Sequence, residues 1–224
     1  MSKPTFKQIL DAHKNQVLLG KSYLNIAKGL LKADPVILQT GPTFFGLTTD
    51  GSLELAQMAL ARLYDQTRGA VTVQVLLAQA RREASSFRRG SHREIIATIA
   101  KCERTVHGLG PVLTSIRKRR NEWLAHLDAR TVTDPKALSA RAKLTIPDLD
   151  RAFKETEDIV RELSSLYEGV IGKLEFLGGD DYKVALDWIR SAKCTFIENF
   201  EREFKTPWTG PRPKNCSANL LRMA

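Results

Sequence analysis

Apolar residues recur three and four positions apart along most of the chain, the spacing that aligns side chains on one face of an α-helix. Phe6, Ile9, Leu10, His13, Val17, Gly20, Leu24, Ala27 and Leu31 follow it without a break and predict one long first helix. The pattern stops at "DPVILQTGPTFFGLTTDG" (34–51), whose two Pro and three Gly predict an ordered crossover loop with Phe44 and Phe45 plugging the core. Asp50 or Ser52 then suits the cap of a second helix bearing Leu53, Ala56, Leu60, Leu63 and Tyr64 and closed by Gly69.

A third helix is predicted from Val73 to Phe87, with Leu76, Leu77, Ala80, Ala84 and Phe87 aligned. In the basic turn "RRGSHRE", Gly90 ends that element and Ser91 with Glu94 forms a capping box for a fourth, which carries Ile95, Ile96, Ile99 and Val106. "GLGP" (108–111) punctuates again, and Pro111 fits the first turn of a fifth helix running to about Ala129. Thr145 caps a sixth, with Leu149, Phe153, Ile159, Val160, Leu163, Tyr167, Val170 and Leu174 on its apolar side and Gly178 and Gly179 as its stop. Asp180 or Asp181 opens the last helix, whose Ala185, Trp188, Ile189, Ala192, Phe196, Phe200 and Phe204 make an aromatic-rich stripe. With no strand, hairpin or repeat signal, the pattern predicts an all-α bundle of six or seven helices. It forms a single domain over 1–205, followed by a basic, Pro-containing C-terminal tail at 206–224 that is mobile or laid on a partner.

Composition changes this picture in one respect. Hydrophobic residues at 42% and charged residues at 27% are ordinary for a globular protein, but 35 Lys and Arg against 25 Asp and Glu give a formal charge of +10. Such a surface favours a polyanionic partner, nucleic acid first and an anionic membrane surface second. No run approaches the roughly 18 apolar residues of a membrane span, and "MSKPTFKQIL" lacks the apolar run of a signal peptide, so the expected setting is cytosolic with no membrane partner. Cys102, Cys194 and Cys216 are odd in number and widely spaced, which points to inert thiols in a reducing compartment rather than to a disulfide framework.

Glycine-rich phosphate loops are absent, and His13, His92, His107 and His126 stand at none of the usual metal-binding spacings, so no cofactor and no metal is expected. The chemistry concentrates instead in "RKRRNEWLAHLD" (117–128). At about 100° per residue, Leu113, Ile116, Trp123, Leu124 and Leu127 share an arc of about 120°, and Arg120 lies near its centre. An unpaired charge there opposes folding. Either the Arg120 stem packs while its head reaches water or a carboxylate, or the stripe opens onto a cleft where guanidinium and imidazole meet a phosphate. Arg119 and His126 sit together at one edge of the arc, with Glu122 one turn before the His to orient its ring.

Arg120, polar Asn121 and, after five intervening positions, His126 resemble the signature of the HEPN superfamily, and the "AHLD" ending at Asp128 resembles its abortive-infection group. "LARLYD" (60–65), "TIPDLD" (145–150) and the all-helical layout extend the resemblance over about Phe6 to Phe204. It implies a helical bundle that forms a homodimer with both motifs lining one cleft and, in active members, a metal-independent endoribonuclease. RNA carries its own nucleophile, the 2′-hydroxyl, so a His exchanging protons near neutral pH and an Arg gripping the phosphate suffice, leaving 2′,3′-cyclic phosphate and 5′-hydroxyl ends.

Catalytic candidates are therefore Arg120, His126 and Asn121, supported by Arg119, Glu122 and Asp128; Arg117, Lys118, Arg88, Arg89 and Arg93, together with Arg81 and Arg82, are candidates for tracking an RNA backbone. One difficulty is geometric: on a straight helix Arg120 and His126 are about 9 Å apart along the axis and about 120° apart around it. A bent helix end, the partner subunit's copy, or Arg119 in place of Arg120 would resolve it. The expected role is a toxin or phage-defence effector acting on RNA, with a neutralising antitoxin as a possible second partner. The rival reading is a non-catalytic RNA-binding or protein-interaction module that keeps the motif as an ion-pair site. A DNA-associated basic scaffold is the third.

Overall fold

Local chemistry sets most helix ends in the computed structural model of the chain, which describes residues 4–124, 134, 140–169 and 180–216. Among these residues there are eight α-helices and no strand. The helices are α1 (Phe6–Leu31), α2 (Pro35–Leu38), α3 (Pro42–Leu63), α4 (Val73–Arg82), α5 (His92–Gly108), α6 (Gly110–Arg119), α7 (Ile146–Glu168) and α8 (Asp181–Phe204). Ser91 accepts from the Glu94 amide while the Glu94 side chain accepts from the Ser91 amide, and Thr145 and Asp148 do the same for α7. Both caps, Ser91 and Thr145, stand where the sequence puts them, and at Thr145 the structure adds Asp148 as the second half of a capping box. No described helix is long and apolar enough to cross a membrane.

The largest departure is at 34–51. Asp34 caps α2 by accepting from the Val36 amide, and α3 starts at Pro42, so most of the expected loop is helical. Both prolines lie in a first helical turn, where a missing N–H breaks no hydrogen bond. Thr48 and Thr49 turn their hydroxyls back onto the Phe44 and Phe45 carbonyls, which keeps polar atoms satisfied inside the helix. Phe45 enters the core as expected, but Phe44 stays 67% exposed. Residues 84–86 form a separate 3₁₀ turn after α4. α7 stops early, at Glu168, because Gly169 takes the left-handed conformation (φ 75°); Val170, Leu174 and the Gly178–Gly179 stop lie outside the described residues.

The chain divides into two units, one of residues 1–24 and 54–176 and one of 25–53 and 177–224. In the first, α5 packs on α4, α6 and α7, around buried Leu60, Leu76, Ile99, Ile116, Phe153 and Leu163. Phe6, Phe87 and Tyr167 stack as a triad with centroids 4.8–5.4 Å apart. Gly20 is required by close approach, since a Cβ there would stand 2.4 Å from the Phe153 ring.

His13 is buried in this unit, and its Nδ1–H donates to the Ile9 carbonyl at 2.7 Å. Its Nε2 has no hydrogen-bond partner among the described residues. Burial pulls the imidazole below its ordinary range, against the opposing pull of the Ile9 and Thr72 backbone. The unfolded chain therefore takes up the proton first as pH falls. Stability is complete above about pH 6.5 and is lost below it, by at most about 1.4 kcal/mol per pH unit for one proton. Urea unfolding at pH 7.5 and 5.5 should show a smaller drop in His13→Leu than in the wild type; equal drops would contradict this assignment.

In the second unit Leu30, Ile37, Phe45 and Leu186 form the core, with Tyr182 and Ile189 against it. The buried line of α8 is Leu186, Ile197 and Glu201, so the aromatic stripe is not the core face: Trp188 is 74% and Phe196 53% exposed. Left-handed Lys205 ends α8 and turns the chain back. Residues 206–216, expected as a mobile tail or an arm on a partner, lie on α8. Trp208 packs edge-on against Phe196 and Phe200, its amide donates to Glu201 at 2.8 Å, and Arg212 pairs with the same carboxylate. Cys194 and Cys216 are disulfide-bonded with Cα atoms 5.5 Å apart, which corrects the expectation of three free thiols. The remaining cysteine, Cys102, is buried, and burial together with Glu162 pushes its thiol up to about 12, as expected of an inert group.

Candidate active site

Leu113 and Ile116 of α6 are buried, and Arg120 follows them by one further turn, so its stem lies along the seam that α6 makes with Leu60 of α3 and with Tyr64 just beyond that helix. Tyr64 fixes the end of α3. It is buried and donates to Thr156 Oγ1 at 2.7 Å, while Thr156 donates to the Ala152 carbonyl. Burial raises the Tyr64 phenol above its ordinary range, so it stays protonated.

The next residue, Asp65, supplies the charge that the position of Arg120 demands. Arg120 Nη1 lies 2.9 Å from Asp65 Oδ2, with the two side chains 22% and 24% exposed. Asp65 Oδ1 accepts from the Thr67 amide at 3.0 Å and the Thr67 hydroxyl at 2.8 Å. Its carboxyl is held down to about 2, first by the Arg120 hydrogen bond and then by the Thr67 amide. Arg120 Nε donates to Asn121 Oδ1 at 3.0 Å. The packed stem with its head on a carboxylate is thus the arrangement adopted, and the guanidinium remains partly exposed.

The backbone at the motif departs from the straight helix. α6 ends at Arg119 and residues Arg120–Leu124 form a π-helical turn. Its i→i+5 bonds widen the turn, so angles computed at about 100° per residue stop applying at Arg120. His126 and Asp128 themselves lie outside the described residues.

The neighbouring candidates separate by environment. Arg119 Nε donates to the Ala142 carbonyl at 2.9 Å, and partial burial lowers its pKa. Glu122 is paired with Arg141 at 2.9 Å, a partner that no sequence pattern singled out. Asn121 and Lys118 are exposed and Arg117 is partly buried. Arg88, Arg89 and Arg93 are exposed around the start of α5, where the Arg89 amide donates to the Leu166 carbonyl at 3.0 Å. Arg81 is bonded to both oxygens of Glu103.

Asp65 is the partner of Arg120 that sequence reasoning missed. It ends the "LARLYD" segment, and a search for a counter-charge to Arg120 within that segment would have found it. No curated protein and no solved structure matches the chain. Residues 4–187 match the family HEPN_AbiU2, described as AbiU2. That span covers both halves of the Arg120–Asp65 pair and the whole motif, and the chain belongs to the AbiU2 family of abortive-infection HEPN proteins.

Proposed function

We propose that this protein is a metal-independent endoribonuclease acting as a toxin or phage-defence effector. In this reading the Arg120 guanidinium binds the scissile phosphate and His126 exchanges the proton. The 2′-hydroxyl loses its proton, its oxygen attacks phosphorus, and the bond to the 5′-oxygen breaks as that oxygen is protonated. The products are a 2′,3′-cyclic phosphate and a 5′-hydroxyl. A neutral imidazole takes the first proton and an imidazolium gives the second, which suits a side chain that titrates near neutral pH. Because cleavage needs two such groups, a homodimer that joins two motifs in one cleft belongs to the proposal, as does an antitoxin that restrains the enzyme.

The observation that carries the reading is Arg120 itself: a cation at the end of an apolar seam, 22% exposed, with Asn121 on its Nε and Lys118 exposed beside it. An Arg that stays charged and presents planar donors stabilises charge that develops on a phosphate. The Asp65 ion pair is also what favours the rival, a non-catalytic module that keeps Arg120 as a structural pair. Turnover separates the two. Purified protein in EDTA should cut single-stranded RNA at many sites, leaving cyclic phosphates and 5′-ends that a polynucleotide kinase labels directly. Binding without cutting across substrates of varied sequence would leave the rival standing.

A further inference from the structure

We propose that Asp65 is the positioning residue of this site, holding one edge of the Arg120 guanidinium so that its remaining donors present a fixed face to an RNA phosphate. This rests on the phosphate-binding role given to Arg120 above. An Arg side chain has a long flexible stem, and its planar head recognises phosphate well only when its orientation is set. Here two hydrogen bonds on different nitrogens set it: Nη1 to Asp65 Oδ2 at 2.9 Å and Nε to Asn121 Oδ1 at 3.0 Å. Two anchors fix the plane, whereas either alone would leave a rotation.

Asp65 is itself immobilised. Thr67 holds its other oxygen through both amide and hydroxyl, and the preceding Tyr64 is locked to Thr156 in the core. The anchor therefore connects the motif, on the π turn after α6, to the rigid end of α3. The carboxyl, held near 2, stays charged at any working pH, so the anchor does not titrate away. Asp65 also cancels the Arg120 charge at long range. Attraction of a polyanion then falls to exposed cations such as Lys118, and the Arg120–Asp65 pair contributes orientation instead.

The test is a double-mutant cycle on binding of a 2′-O-methyl single-stranded oligoribonucleotide, which lacks the attacking hydroxyl and stays intact. Arg120→Ala should weaken binding about tenfold in the wild-type background, and about twofold or less in the Asp65→Ala background. Asp65→Ala alone should weaken binding several-fold even though it removes a negative charge. Asp65→Asn, which keeps an oxygen of the same reach, should recover most of that loss. Asp65→Ser is too short to reach Arg120 yet still offers the Thr67 amide a partner, and it takes the place of Asp65→Ala if that variant does not fold. Tighter binding by Asp65→Ala, or an equal Arg120→Ala effect in both backgrounds, would overturn the proposal while leaving Arg120 on the phosphate. If Arg120→Ala has no effect even in the wild type, the phosphate role fails and this inference fails with it.

Discussion

On the proposed function, Arg120→Ala should lower single-turnover RNA cleavage by about 100- to 1,000-fold, the loss expected when a preorganised donor to developing phosphate charge is removed. His126→Ala should lower it by about 100- to 10,000-fold, the range for a positioned general acid or base. The effect on folding is much smaller. Without Arg120, Asp65 still accepts from the Thr67 amide and hydroxyl, so no carboxylate is left orphaned. An ion pair whose members are 22% and 24% exposed contributes only about 1 kcal/mol or less once solvent screening is counted. Arg120→Lys should recover little activity, because an ammonium cannot hold the Asp65 oxygen and the Asn121 oxygen and also grip a phosphate in one plane. Cleavage assays run beside thermal melts separate the two quantities. Retention of a third or more of wild-type cleavage by Arg120→Ala at unchanged melting temperature would remove Arg120 from the chemistry.

The sequence pattern makes the site half visible, for physical reasons that differ from residue to residue. Arg120 stands out because a helical wheel is a local construction and shows a charge on an apolar line wherever the helix lies. Its counter-charge does not stand out, because Asp65 reaches it only through the packing of α3 against α6, and no periodicity links the two positions. The π turn is hidden for a related reason: Arg120–Leu124 consists of residues that fit an ordinary α-helix. The helix starts at Ser91 and Thr145 are legible because a capping box is complete within four residues. The segment 34–51 misleads because Pro and Gly read as helix breakers, while Pro35 and Pro42 stand where a helix begins. On α8 the aromatic residues draw the eye, yet the buried line is Leu186, Ile197 and Glu201, and the aromatics serve the returning strap through Trp208. An odd count of cysteines likewise conceals the pair formed by Cys194 and Cys216.

Phe153→Ala destabilises the protein by about 4 kcal/mol, since the ring is 1% exposed and its loss leaves a cavity against Gly20. The same contact makes an opposite prediction for Gly20. Replacing Gly by Ala inside a helix ordinarily stabilises by about 1 kcal/mol. Here the new Cβ would stand 2.4 Å from Phe153 Cε1 and 2.8 Å from Ala59 Cβ, and a fully buried ring has nowhere to turn. Gly20→Ala alone should therefore destabilise by about 2 kcal/mol through overpacking. In the Phe153→Ala background the ring is gone, α1 can retreat by the few tenths of an ångström that Ala59 demands, and the methyl fills part of the void. The Gly20→Ala effect should then vanish or become a small gain, an interaction free energy of at least about 1.5 kcal/mol between the two positions. Urea unfolding of the four proteins measures it. Additivity within about 0.5 kcal/mol would mean that α1 and α7 yield independently, and the interlock of Gly20 with Phe153 would not be what sets their distance.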